Sequence, residues 1–252
     1  DLGEAERIEV LKGPQGTLFG KNTSAGVINV VTAKPSFEPF ARGEFTAGNY
    51  DEFGGSISVG GPIVADRLAV SLFGVHRKRD GYYDVVTGKG PRTIGNDSDR
   101  HFWSLRGQLY FTDDAGFDAR LIGDITRRNE NCCVAVQLVN GPTTAIVNAL
   151  AGAGGGVLSP ADPERRLAFS NRDTTQKIRD GGLSLEMNYD LGDAKLTSIT
   201  AWRDWRWVTG SDSDYSGADI LYREADGSTM NRFRQFSQEL RASGSTGMLD
   251  YT

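Results

Sequence analysis

Residues 6–35 read ERIEVLKGPQGTLFGKNTSAGVINVVTAKP, and the rest of the chain takes its meaning from them. Ile8, Val10 and Leu11 make a first β-prone run. Gly13-Pro14 breaks it, because proline has no N–H for a ladder and glycine frees φ. Gly16, Gly20 and Gly26 mark further tight backbone positions. Residues 27–32, VINVVT, form a second run rich in β-branched side chains, closed by Pro35. On residue types alone this is a glycine-punctuated β-hairpin.

After a linker at residues 36–39 the character changes to strands of period two. Runs at 40–50, 53–60, 68–77, 101–111, 117–126, 182–190, 195–208 and 231–242 alternate in polarity, except 68–77, which is apolar on both faces. The clearest is 117–126. There Phe117, Ala119, Leu121 and Ile125 alternate with Asp118, Arg120, Asp124 and Thr126. Gly60-Gly61-Pro62 reads as a turn. These runs are about 10–14 residues long, against ~5–6 in soluble sheets. Connections alternate: short ones near 61–66, 112–116, 191–194 and 244–247, long ones at 78–99, 127–177 and 209–230. In the last long connection but one, residues 143–150 have helical spacing. Long strands with loops lengthened on one side predict a transmembrane β-barrel. A bilayer offers backbone groups no water, so such a sheet must close on itself. The apolar set meets lipid. The polar set, Arg106, Asp118, Arg120, Asp124, Glu186, Glu239 and Arg241, faces a wet lumen. Tyr110, Phe111, Phe117, Tyr189, Trp205 and Trp207 suit interfacial girdles; a stacking site for an aromatic ligand is the alternative for Trp202, Trp205 and Trp207.

The totals agree and exclude other classes. The chain has 252 residues, 38% of them hydrophobic, and a net charge of -5, so no basic field recruits nucleic acid. No apolar run approaches the ~18 residues of a spanning helix. The two histidines, His76 and His101, are expected far apart, each on a predicted strand, so no nucleophile–base pair is suggested and no catalytic residue is expected. The acidic pairs Asp97/Asp99 and Asp212/Asp214 are read as solvated loop charge rather than calcium ligands, since the Asp-x-Asp-x-Asp-Gly pattern is missing. The glycine-rich 151–156 lacks the Lys-Ser/Thr of a phosphate-binding loop. Cys132 and Cys133 are adjacent, without the spacing of a zinc site, so no metal site is expected. A strained vicinal disulfide and two free thiols both remain open. No initiator methionine or signal sequence is present, and residues 248–252 read as a strand cut in its middle, so a fragment of a longer protein is expected, unstable alone with two open sheet edges.

The opening stretch resembles the C-terminal end of the plug domain of TonB-dependent outer-membrane receptors. Glu6 to Pro14 matches the ERIEV-hydrophobic-[KR]-GP core, Leu18-Phe19-Gly20 the hydrophobic-aromatic-glycine step, and Gly26 to Thr32 the GVIN[IV][IV]T segment, closed by Lys34-Pro35. Ala25 stands where many members carry a second glycine. The motif residues are Arg7, Glu9, Gly13, Pro14, Gly20, Gly26 and Asn29. The resemblance implies residues 1–36 as the end of an α/β plug and 37–252 as the first eight or nine strands of an all-β antiparallel barrel. It implies a monomeric active transporter in the outer membrane of a Gram-negative bacterium, not an enzyme, with outer-membrane lipid around it. Its partners would be a small-molecule ligand and a TonB-type energy-coupling complex acting on a segment outside this chain. No cofactor is implied. The default cargo is a ferric siderophore, with vitamin B12, haem and oligosaccharides left open. The alternative is a passive porin or adhesin barrel, which predicts no plug; a soluble carbohydrate-active β-protein would need a paired-carboxylate cleft, and none is found. The family's plug arginines meet wall glutamates, which makes Arg7 a latch candidate toward Glu186 or Glu239.

Overall fold

The computed structural model describes residues 4–16, 23–113, 115–152, 162–247 and 249–252; Gly20 and most of the glycine-rich 151–156 lie outside them. The opening stretch folds as the hairpin its two runs dictate. Strand β1 (Ala5–Lys12) pairs antiparallel with β2 (Gly26–Thr32), Lys12 opposite Gly26 and Glu9 opposite Asn29. Gly13 has φ +82° and Gln15 N–H donates to Thr23 O at 3.0 Å, so the chain turns out of the ladder at Gly13-Pro14. Gly26 has φ +140°, and a Cβ there would sit 2.6 Å from Leu11 O. Gly26→Ala is therefore expected to cost on the order of 1–3 kcal/mol locally. Amide exchange over residues 5–12 and 26–32 checks it, and unchanged protection would contradict it.

Beyond Pro39 the long runs form one antiparallel meander: β3 (Phe40–Gly48), β4 (Glu52–Val64), β5 (Leu68–Arg79), then β6 (Tyr83–Val86) and β7 (Asn96–Asp97) in a loop, β8 (Arg100–Thr112), β9 (Phe117–Asn131), helix α1 (Thr144–Ala151), β10 (Leu167–Phe169), β11 (Thr175–Asp190), β12 (Ala194–Thr209), β13 (Ser211–Asp212) and β14 (Tyr222–Arg223) in another loop, β15 (Met230–Thr246) and β16 (Leu249–Tyr251). The nine-stranded sheet runs β16-β15-β12-β11-β9-β8-β5-β4-β3, each strand beside its neighbour in sequence. Strands of up to 17 residues exceed what a soluble sheet uses and reach beyond the ~9–11 a tilted membrane strand needs. The expected helix at 143–150 is α1, shifted by one residue, with Thr143 as its N-cap.

The face assignments read from alternation hold where the alternation is clean. Leu105, Leu121, Leu183, Phe236 and Leu240 are exposed on one face, and the register puts Arg106 opposite Asp124 and Glu186 opposite Arg120 on the other. Four expectations need correction. Gly60-Gly61-Pro62 is not a turn: β4 runs through it to Val64, with a bulge between Pro62 and Val64. Ile63 is the residue left out, and Pro62, paired with Ala69 on β5, lies beyond the last β3 partner at Gly60, so its missing N–H leaves no acceptor unpaired on that side. The turn falls at residues 65–67, with Asp66 at φ 56°. Strand β9 continues to Asn131 and β11 begins at Thr175, so the long loop is 132–174 rather than 127–177. Trp205 and Trp207 are not girdle residues. They lie opposite Asp180 and Ile178, and Asp180 in turn opposite Thr126, on the inner face. Tyr110 is likewise inner, opposite Arg120, which leaves Phe111, Phe117 and Tyr189 as the outward ring near the short turns. His76 and His101 are not far apart: pairing of β5 with β8 brings their rings to 5.6 Å, edge to face.

The long loops fold into a layer over one rim. Strand β6 pairs parallel with β10 and antiparallel with β7, and Val85, Val134 and Ala168 make a small core. The knot of this layer is Arg92–Asp97, a 2.9 Å ion pair with side chains 1% and 0% exposed. Asp97 also accepts from Thr174 Oγ1, from Ser98 N at 2.7 Å and from Val134 N at 3.1 Å. Arg92 donates to the carbonyls of Ile94, Asn96 and Arg172 at 2.9, 2.8 and 3.2 Å. The solvated-charge reading of Asp97 and Asp212 is therefore overturned. Both are fully buried, and Asp212 takes the N–H of Asn171 at 2.8 Å. Burial, with Asp214 nearby, pushes the Asp212 carboxyl above its ordinary range. Cys132 and Cys133 are joined in a vicinal disulfide at the root of this layer, where Cys132 N–H donates to Thr174 O at 2.8 Å.

Candidate functional site at the inner wall

The inner face meets the N-terminal hairpin near the short-turn end. Arg120 is only 6% exposed. Its guanidinium donates to Thr32 O at 3.0 Å, Thr32 Oγ1 at 2.8 Å and Ala33 O at 2.8 Å, and Gln108 Oε1 accepts from its Nε at 3.0 Å. Gln108 in turn donates to Ala33 O at 3.4 Å. Lys34 lies 4.9 Å over the Tyr110 ring and 3.8 Å from Asp118. The segment just after β2 is thus pinned by its backbone carbonyls to a wall arginine.

Among the described residues Arg7 reaches neither Glu186 nor Glu239. Its guanidinium is taken by Glu9 at 2.6 Å and Glu6 at 2.9 Å, carboxylates that its own strand supplies two positions on and one position back. Glu9 also accepts from Asn29 Nδ2 at 2.8 Å, so the motif's Arg7, Glu9 and Asn29 make one polar chain across the hairpin. Arg7 and Asn29 together hold the Glu9 carboxyl below the usual range. Glu186 does sit on the inner face, opposite Arg120, but accepts from Asn188 at 3.0 Å. Glu239 lies on the same row beyond β12, with Arg241 3.8 Å away. Sequence reading had Arg120 on the correct face but missed its role, because backbone carbonyls leave no signature in the residues that own them.

Toward the loop rim the inner wall opens into a pocket of about 560 Å3 lined by Thr46, Glu52, Arg77, Arg100, Phe102, Ser104, Thr126 and Arg128, three guanidinium groups against one carboxylate. Arg77 pairs with Glu44 at 2.6 Å and Arg128 with Glu130 at 2.8 Å. Arg100 has no ion pair among the described residues. On the row of Arg77, Phe102 and Arg128 the sheet continues through Ile178 to Trp207. The Trp207 indole N–H is buried with no acceptor among the described residues. One row lower, Trp205 and Phe233 stack with centroids 5.4 Å apart. The arrangement offers guanidinium donors beside flat apolar faces, which suits a partly aromatic, anionic, oxygen-rich guest.

Long strands, an apolar outer face, a polar inner face holding an N-terminal hairpin, and loops gathered at one rim define part of an outer-membrane β-barrel with a filled lumen. No protein-family model matches the chain. It is 38% identical over 63 residues to the metal-pseudopaline receptor CntO of Pseudomonas aeruginosa, a match covering 25% of this chain and 9% of that receptor. It is 34% identical over 80 residues to the pesticin receptor of Yersinia pestis, covering 32% and 12%. Its fold is similar to the ferric yersiniabactin uptake receptor FyuA from Yersinia pestis, with a TM-score of 0.69 at 20% identity, covering 98% of this chain and 35% of that one. The chain thus spans about a third of the length of that solved receptor. The chain is thus similar to a part of such receptors, in sequence over 25–32% of its length and in fold over 98% of it. Its relatives are named as receptors, not enzymes.

Proposed function

We propose that the receptor containing this segment takes up a metal chelate, a ferric siderophore by default, in an energy-coupled cycle. The observation that carries this reading is the inner-wall pocket, where Arg77, Arg100 and Arg128 surround Phe102 beneath the loop layer. Ferric chelates of oxygen ligands are commonly anionic and often aromatic, and guanidinium groups beside aromatic faces bind such guests. The relatives' printed ligands, metal-pseudopaline and ferric yersiniabactin, are metal chelates and support the same class. In this reading residues 1–36 are the end of the plug, held by Arg120. A TonB-type complex acts on a plug segment outside the chain, and the wall contact at Thr32 and Ala33 is the hold that the pull must release or work around.

Titration of the complete receptor with a panel of ferric chelates, followed by tryptophan fluorescence, tests the binding step. At least one chelate is expected to quench emission saturably. Arg100→Ala is expected to weaken that chelate about tenfold, the loss of one charged hydrogen bond at ~1.4 kcal/mol. Saturable binding of neutral oligosaccharide or vitamin B12, with none of any ferric chelate, would contradict the siderophore reading.

A further inference from the structure

The outer face carries a feature that cargo uptake does not use. Strand register places His76, Trp103, Arg127, Arg179, Arg206 and Arg232 side by side in one row, on the face opposite Arg120. That face otherwise meets lipid, and the row lies on the loop-rim side of the sheet. Arg206, Arg232 and Arg234 share the single carboxylate of Asp204, with Arg206 at 3.5 Å, Arg232 Nε at 2.9 Å and Arg234 at 3.6 Å. Arg179 has no ion pair, and Arg127 has only the Trp103 ring at 5.7 Å, among the described residues. A surplus of guanidinium on a lipid-facing strip is costly in hydrocarbon and tolerable near the headgroups. It becomes favourable against phosphate, which guanidinium binds bidentately.

Directly below the row lies a groove of about 860 Å3. Its floor is glycine: a Cβ on Gly107 would come 3.3 Å from Leu72, and one on Gly123 would come 3.1 Å from Leu183. Its sides are Leu105, Ile125, Leu183 and Trp202, and Arg127, Arg179 and Arg206, with the carboxylate of Asp204 among them, close its upper end. An apolar trough ending in cations is complementary to an acyl chain ending in phosphate. Strands are spaced ~4.8 Å, so the arginines on β9, β11, β12 and β15 extend over ~14 Å. That breadth fits a headgroup with more than one phosphate better than a glycerophospholipid with one.

We infer that this strip is a binding site for a phosphorylated glycolipid of the outer leaflet, its phosphates on Arg127, Arg179 and Arg206 and an acyl chain in the glycine-floored groove. The inference rests on the outer-membrane barrel and not on the identity of the cargo. The test uses the complete receptor in nanodiscs and native mass spectrometry with three probes: a diphosphorylated glycolipid, its dephosphorylated form, and phosphatidylglycerol. Wild type is expected to retain the diphosphorylated glycolipid at least tenfold over both others. The combined R127Q, R179Q and R206Q variant should lose that preference while keeping its heat-modifiable band, and G123L, which fills the groove without removing charge, should weaken retention. The inner-face variant R241Q should behave as wild type. Equal retention of phosphatidylglycerol, or an unchanged preference in the triple variant, would overturn the assignment.

Discussion

Replacing Asp97 by alanine is expected to dismantle the loop layer while leaving the long-stranded sheet paired. Asp97 is fully buried and is the point where the 80–99 loop meets the 132–174 loop. Removing it leaves Arg92, whose side chain is 1% exposed, as an unpartnered cation among carbonyls. Breaking a buried pair on one side costs about 3–5 kcal/mol, more than keeping or replacing both partners. That is comparable to the roughly 3–6 kcal/mol that burial of Val85 and Val134 in the small core supplies, so the layer should open while the sheet below it stays protected. Amide exchange should rise over residues 83–97 and 167–174 and stay low over β9, β11 and β12. The double variant R92M/D97L, which removes both charges, should recover much of the loss. Undiminished protection in D97A would show that the layer is held elsewhere.

Arg120→Met is expected to release the segment that follows the N-terminal hairpin. The arginine donates to Thr32 and Ala33 and is braced by Gln108. Charged hydrogen bonds contribute about 1.5–3 kcal/mol each in favourable settings, with strong non-additivity, so a loss of ~2–4 kcal/mol in docking is expected. Exchange and protease access should rise over residues 26–39. Arg7→Ala is the informative contrast. Arg7 is half exposed and bound to carboxylates of its own strand, so its removal should leave docking unchanged. Release by R7A but not by R120M would restore the latch that the sequence suggested.

These two sites show where sequence reading succeeded and where it stopped. Clean alternation, as in residues 117–126, assigned faces correctly because each face meets a different solvent. Where the strands rise past the apolar band that signal fades. Residues 127–131, RRNEN, and 175–181, TQKIRDG, are polar on both faces, so their strand character was invisible until pairing showed it. The same loss of contrast hid Trp205 and Trp207, large apolar side chains that fit a girdle or an inner wall equally well. Asp97 looked like solvated charge because nothing near it in sequence announces Thr174, which is 77 residues away. The hairpin motif was legible because its constraints are local, the broken ladder at Gly13-Pro14 and the positive φ at Gly26. Its tether was not, because Arg120 binds carbonyl oxygens that any residue would offer.

In the proposed function this wall belongs to a gated, energy-coupled importer of a metal chelate. It is tested most directly by uptake of radiolabelled ferric chelate into iron-starved cells carrying the complete receptor, with and without a functional TonB complex. Accumulation above a receptor-deletion strain is expected, and it should disappear when the complex is removed while surface binding of the chelate persists. Accumulation that is unaffected by loss of the complex, or no difference from the deletion strain on any ferric chelate tested, would contradict it.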